Sequence, residues 1–287
     1  MNTEKYYYST LSKIEKEVYT ALESGFAEMK AEITLPRLPA SRISEIHTML
    51  RLDCPLLFNT DSLHITATAD GATAKAKPHY TVKKKEYTDT LEALNKRLSR
   101  VMRDCPDGTQ VEKELFIHDF LVNNVKYDKL KKQYSHEVTG PLCHGIGVCE
   151  GMAKTFKLMC DYAGIPCINV IGSGVALEKT TGKKWEMHMW NLVNIDGAWL
   201  NVDATYDNDL SAKGIRYDYF NVSDSFVFRD HEPSLYPVPE STDSKAAYYA
   251  EKKLVFTELE KLEPRAKLGS LWLYSHVHEH AGSQISG

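Results

Sequence analysis

The chain has 287 residues, 43% apolar and 26% charged, enough apolar material for a full core in one large domain or two modest ones. Its formal net charge of −4 gives no global attraction to nucleic acid or anionic lipid, and Lys83-Lys84-Lys85 reads as a solvated strand or loop end. No stretch approaches the roughly 18 apolar residues of a membrane helix, and Met1-Asn2-Thr3-Glu4-Lys5-Tyr6 lacks the apolar segment of a secretory leader.

Leu11, Ile14, Val18, Leu22, Phe26 and Met29 recur at spacings of three and four, which predicts an amphipathic helix over 3–31. A second helix is predicted from Ser41, as N-cap, to about Arg51. Asp70-Gly71, between the runs 63–69 and 72–82, predicts a β-hairpin, with Pro78 placing its second strand at an edge or a bulge. Tyr87, Leu91, Leu94, Leu98 and Val101 predict a third helix. Asp107-Gly108 is the expected boundary between a lead-in domain, 1–107, and a core, 108–239. Residues 240–287 are expected to form an extension packed on that core.

Thr109-Gln110-Val111-Glu112 reads as a capping box opening a helix that carries Val111, Leu115, Phe120, Leu121 and Val125. A loop is expected over 127–146. A helix follows over 148–163, with Gly164 at its C′ position and Pro166 stopping it. Strands are predicted at 167–171, 188–195 and 198–203, the last two joined by an Asp196-Gly197 turn. Helices followed by an antiparallel sheet make an α+β domain. Beyond Pro239 the pattern is a polar linker, a strand and helix over 253–262, and a strand at 271–277.

Three residues in this layout carry chemistry. Cys149 opens a predicted helix, where unpaired backbone N–H groups and the helix dipole favour an anion and make a thiol more nucleophilic. Its own N–H is placed to donate to a developing oxyanion. Gly147 and Gly151 allow backbone and substrate to approach closely, and Glu150 is expected to face away from the thiol. His188 begins a strand and offers a general base. Counting back across the Asp196-Gly197 turn sets position 203 opposite 190, so Asp203 lies diagonal to His188 on the same face and can fix its tautomer. Each residue alone has a plainer reading: a buried thiol, a core histidine, a capping aspartate. Their order and geometry together favour a Cys-His-Asp constellation.

Trp190 and Tyr206 are candidate cleft walls and substrate contacts with Gly147. Trp199 reads rather as a hairpin core residue, and Trp185 as part of a solvated loop over 178–186. Cys143, His144 and Cys149 match no zinc spacing, and a metal there would quench the nucleophile. His276, His278 and His280 would line one face of a strand, but read more simply as a frayed tail. The six cysteines form no CxxC pair or regular framework, so free thiols in a reducing compartment are expected. The chain is accordingly expected in the cytoplasm if Met1 is its native start, and outside it if a leader has been removed. No metal or organic cofactor is required.

Gly147-Val148-Cys149-Glu150-Gly151-Met152-Ala153, His188-Met189-Trp190-Asn191, Trp199-Leu200-Asn201-Val202-Asp203-Ala204-Thr205 and Tyr219-Phe220-Asn221-Val222-Ser223 together resemble the transglutaminase-like superfamily, specifically its bacterial members. The similarity is strongest over 112–232. His118-Asp119-Phe120-Leu121 and Val125-Lys126-Tyr127-Asp128 resemble the helix before the cysteine loop, and Cys54-Pro55-Leu56-Leu57-Phe58 the usual lead-in. The resemblance implies a papain-like fold, with Cys149 as nucleophile, His188 as base and Asp203 as orienter. Met152, Met189 and Tyr206 stand where such proteins often carry tyrosine, alanine and tryptophan, which bears on substrate preference. The expected activity is acyl transfer from a protein or peptide amide through a thioester, with hydrolysis favoured. A protein-glutamine γ-glutamyltransferase is one alternative, and a non-catalytic binding module on the same fold is another.

Overall fold

The apolar repeat that opens the chain is interrupted by its own capping signal. The Glu15 carboxylate accepts from the Ser12 backbone N–H at 2.8 Å, so the predicted single helix is two, α1 (Tyr6–Thr10) and α2 (Lys13–Glu28). The computed structural model describes residues 5–68, 73–175, 184–211, 214–233, 235–243 and 247–248. The Asp70-Gly71 turn, the elements predicted beyond 250 and the His276/His278/His280 row lie outside the described residues.

Strand β1 (Ile33–Pro36) leads into α3 (Ala40–Asp53), which starts one residue before Ser41, with Pro39 at the N-cap. The hairpin strands are β2 (Thr60–Ala67) and β3 (Thr73–Tyr80), in a three-stranded antiparallel sheet of order β1-β3-β2. Strand β3 is therefore central. Pro78 is tolerated because β1 pairs only with residues 73–76, leaving Pro78 paired on one flank, to Leu63. Helix α4 (Lys84–Met102) begins within the lysine tract, so Lys83-Lys84-Lys85 forms a helix start and not a strand or loop end.

Helix α5 (Gln110–Asn124) is opened by the predicted box: Thr109 Oγ1 accepts from the Glu112 N–H at 3.2 Å, and Glu112 accepts from the Thr109 N–H at 2.8 Å. The segment expected as a loop holds β4 (Lys126–Tyr127) and β5 (Ile146–Gly147), a short parallel pair around two irregular helical turns. Helix α6 (Cys149–Ala163) ends at Gly164, whose φ of 76° is the left-handed C-cap conformation.

The second sheet has order β8-β7-β6-β9, all antiparallel: β6 (Cys167–Val175), β7 (Trp185–Ile195), β8 (Ala198–Val202) and β9 (His231–Glu232). Asp196 and Gly197 both take positive φ, 51° and 89°, as the hairpin turn demands. Helices α7 (Ala204–Leu210) and α8 (Asp224–Val227) complete the described elements. Trp185 lies in β7 rather than in a loop.

Two cores cover the second sheet. Val193, Leu200 and Val202 pack with Leu94 and Leu98 of α4, Ile117 and Leu121 of α5, and Phe156 of α6. Ile168, Val170, Trp190 and Leu192 pack with Tyr7, Val18, Leu22 and Ile46 of the lead-in helices. The first core thus runs across position 107, joining helices on both sides of it. The result is the α+β, papain-like arrangement of helices on an antiparallel sheet.

Candidate active site

The start of α6 is braced from outside. The Ser135 carbonyl accepts the Val148 N–H at 3.0 Å, and a Cβ on Gly151 would stand 2.2 Å from that same oxygen. Gly147 is buried, and a Cβ there would meet Pro141 at 2.9 Å and Met152 at 3.3 Å. These glycines make room for the protein's own loop, which corrects the expectation that they make room for substrate. Val148 is the N-cap and supplies no side-chain acceptor, so no capping side chain of its own competes for the first N–H groups of the helix. Cys149 stands there, partly exposed. Glu150 turns to Lys154 at 2.7 Å and His136 at 3.0 Å. Although burial opposes ionisation, Lys154, His136 and Arg51 hold its carboxyl well below the usual range.

Strand β7 carries His188 opposite Gly172 of β6, and the β7–β8 register pairs Asn191 with Val202. That places Asp203 opposite Trp190 and diagonal to His188, as the count across the turn predicts. His188 Nε2 is 2.5 Å from Asp203 Oδ2. Asp203 is also the N-cap of α7, where its Oδ1 accepts the N–H groups of Thr205 at 2.8 Å and Tyr206 at 3.0 Å. With Nε2 committed to the carboxylate, the other ring nitrogen of His188 is left for Cys149. Burial favours the neutral ring, but the charge and hydrogen bond of Asp203, with the neighbouring Cys149, outweigh it and push His188 up to about 10. Burial likewise opposes ionisation of Asp203, and His188 and His231 overcome it, holding the carboxyl well below its ordinary value.

Trp190 and Tyr206 are 1% and 4% exposed, too little to touch a substrate, which corrects their assignment as contacts. Trp190 instead stacks beside His188 at 6.1 Å and donates its indole N–H to Asn201 at 3.0 Å. Tyr206 lies 5.0 Å from the imidazole and donates to the Val175 carbonyl at 2.6 Å. Gly174 leaves space for this packing, since a Cβ there would meet the Tyr206 hydroxyl at 2.7 Å and His188 Cγ at 3.2 Å. Trp199 is half-buried, near Tyr6 at 6.3 Å. Tyr127 has an exposed flank beside the cysteine, and burial of its phenol, with the nearby charge of Cys149, pushes it up to about 12.

Sequence reasoning did not find His231. Its Nε2 lies 3.0 Å from Asp203 Oδ2, so that one carboxylate oxygen serves two imidazoles. No spacing rule singles out this histidine; β9, which carries it, is two residues long. His188, Asp203 and His231 are, among the described residues, the one group of three potential metal ligands, with donor atoms within 4.8 Å of one another. Both imidazoles use Nε2 to hydrogen-bond the carboxylate, which accounts for the cluster without an ion. Cys143 and His144 lie instead in the turn Gly140–His144, with the His144 ring 4.5 Å from Tyr134.

A helix bearing a cysteine is packed on a sheet bearing a linked histidine and aspartate, and known proteins similar to this chain share that region. Residues 95–204 match the family model described as the transglutaminase-like superfamily, so the region that carries this site is similar to that superfamily. The chain is 25% identical over 154 residues to the Mus musculus kyphoscoliosis peptidase, the match covering 49% of this chain and 23% of that protein. It is 27% identical over 144 residues to the Homo sapiens kyphoscoliosis peptidase, covering 48% and 22%. The matches therefore span less than a quarter of these relatives' length. A solved structure described as a TGase aligns with 13% identity and a TM-score of 0.35 over 51% of this chain and 44% of that one.

Proposed function

We propose that the chain is a cysteine-dependent acyl-transfer enzyme acting on protein or peptide amides through Cys149, His188 and Asp203. The observation that carries this reading is the buried His188–Asp203 pair, joined at 2.5 Å, beside a cysteine at an uncapped helix start. In the proposed reaction the Cys149 thiolate attacks the amide carbonyl. The oxyanion draws on the backbone N–H of Cys149. His188, cationic and held by Asp203, gives a proton to the leaving amine, and a thioester remains. His188 then takes a proton from water, which attacks the thioester and releases the carboxylic acid. Asp203 stays ionised throughout and holds the tautomer. Tyr127 is the proposed contact for the substrate beside the scissile bond.

Hydrolysis is favoured because water is always present as acceptor; the peptidase names of the two curated relatives support the same choice. With an amine as acceptor, the same thioester would make the chain a protein-glutamine γ-glutamyltransferase. The third reading, a binding module, would leave Cys149 chemically ordinary. Nothing in a net charge of −4 favours nucleic acid or an anionic membrane as partner.

The test is incubation with an unfolded protein substrate and a fluorescent primary amine, with Cys149→Ala as control. Mass spectrometry should find new peptide termini or deamidated side chains with the wild-type protein alone. Amine incorporation in excess of hydrolysis would move the assignment to the transferase. Products that persist undiminished in Cys149→Ala would refute the mechanism.

A further inference from the structure

His231 touches the proposed orienting carboxylate yet has no part in the reaction just described. Its side chain is wholly buried, with Nε2 3.0 Å from Asp203 Oδ2 and Nδ1 2.7 Å from Asp230 Oδ1. An ionised carboxylate only accepts hydrogen bonds, so a ring between two of them must carry a proton on each nitrogen. Both carboxylates also act as acceptors toward other donors. Asp203 accepts two backbone N–H groups and His188, and Asp230 accepts the hydroxyl of Tyr219. His231 is then an imidazolium in the protein interior.

The rings around it belong to His188 at 5.2 Å, Trp190 at 5.0 Å, Tyr206 at 4.6 Å and Tyr219 at 5.7 Å. The charged groups facing it are thus Asp203 and Asp230, of one sign, and His188, of the other. Burial disfavours a cation here, but the hydrogen bonds His231 donates to both carboxylates outweigh it and raise His231 above its ordinary value.

We propose that His231 is a positioning residue of this site, a buried imidazolium that holds Asp203 between two rings and offsets part of the carboxylate charge felt by His188. The inference rests on the reading of Cys149, His188 and Asp203 given above. A carboxylate shared between two cations holds each less strongly than it would hold one alone. A second cation on the same oxygen moderates the hold while fixing the oxygen in place. The same positive charge also favours the Cys149 thiolate.

The experiment is the pH profile of Cys149 alkylation by iodoacetamide, resolved by peptide mass spectrometry, in wild type, His188→Ala, His231→Gln and Asp230→Asn. Nitrogen-15 spectra of histidine-labelled wild type are recorded at pH 7. His231 is expected to show both nitrogens protonated. His231→Gln removes a cation near the thiolate, so the acid inflection of the profile should move up by about one pH unit. Asp230→Asn keeps the Nε2 hydrogen bond but releases the second proton, and should shift the inflection the same way. It also serves if His231→Gln does not fold. A neutral His231, or variant profiles that superimpose on wild type, would overturn the proposal and leave the Cys149–His188 reading intact. A wild-type profile like an ordinary thiol's, unchanged in His188→Ala, would remove the reading beneath it as well.

Discussion

Asp203 is the residue on which the site turns, because its two oxygens do different work. Oδ1 caps α7 while Oδ2 holds His188 and His231. Asp203→Ala should lower kcat by about 10²–10⁴-fold, measured on any substrate found by the test above. An unchanged kcat would mean another group orients His188. The same variant has a pH signature. Asp203 is depressed below its ordinary 3.8, so its contribution to stability is present above that value and lost as pH falls through the acid range. His188 is raised from 6.5 to about 10, so its contribution is full below 6.5 and fades as pH rises toward 10. The Tm difference between wild type and Asp203→Ala should therefore be widest between about pH 4 and 6.5, narrowing on both sides. A difference independent of pH would contradict the ion pair. Cys149, His188 and Asp203 were legible in the sequence because a helix start and a tight turn fix where their side chains go. His231 was not, because its contact depends on where a two-residue edge strand docks.

Among the elements, α6 and its loop show where reading by motif misleads. Gly151 looks like a substrate-facing glycine in sequence, yet its missing side chain is the space the Ser135 carbonyl occupies. Gly151→Ala should destabilise the fold by about 1–3 kcal/mol, read by denaturant melts, and slow Cys149 alkylation by displacing the helix start. Wild-type stability in that variant would show the loop to be free to give way. The register of the β7–β8 hairpin was legible in the Asp196-Gly197 turn, although β7 starts at Trp185, three residues before the predicted strand, and β8 ends at Val202. The break between α1 and α2 was also written in the chain, as Ser12 and Glu15, but the apolar repeat running through it masked it. Trp190 and Tyr206 lie beside His188 as buried rings, not as exposed cleft walls. Whether an aromatic ring faces the cleft or the core depends on packing from other elements, which local sequence does not encode.

For the whole molecule, the lead-in packs on the sheet that carries His188. Tyr7 donates to the Asn169 carbonyl at 2.7 Å, Asn169 donates to the Leu52 carbonyl at 2.9 Å, and Arg51 pairs with Glu137 at 2.7 Å. A fragment spanning 108–239 lacks the α4 side chains of the first core, and we expect it to give the circular dichroism and proton spectra of an unfolded chain. A folded fragment would support the boundary expected at Asp107-Gly108. Burial also leaves a pH-dependent weakness. Glu114 is fully buried against Asn221, and desolvation pushes it up to about 8. Its ionisation therefore opposes folding progressively from about pH 4.5 to 8. Glu114→Gln should raise stability at pH 8 by about 1–3 kcal/mol and much less at pH 5, by melts at both. Equal effects at the two pH values would exclude that origin. The central claim is that Cys149 and His188 form a thiolate–imidazolium pair, and the most direct measurement is the rate of Cys149 alkylation at pH 6 relative to pH 9, with His188→Ala alongside. Near-equal rates are expected in wild type, with loss of the pH 6 reactivity in the variant. A wild-type rate that falls as an ordinary thiol's does, matched by the variant, would contradict that claim.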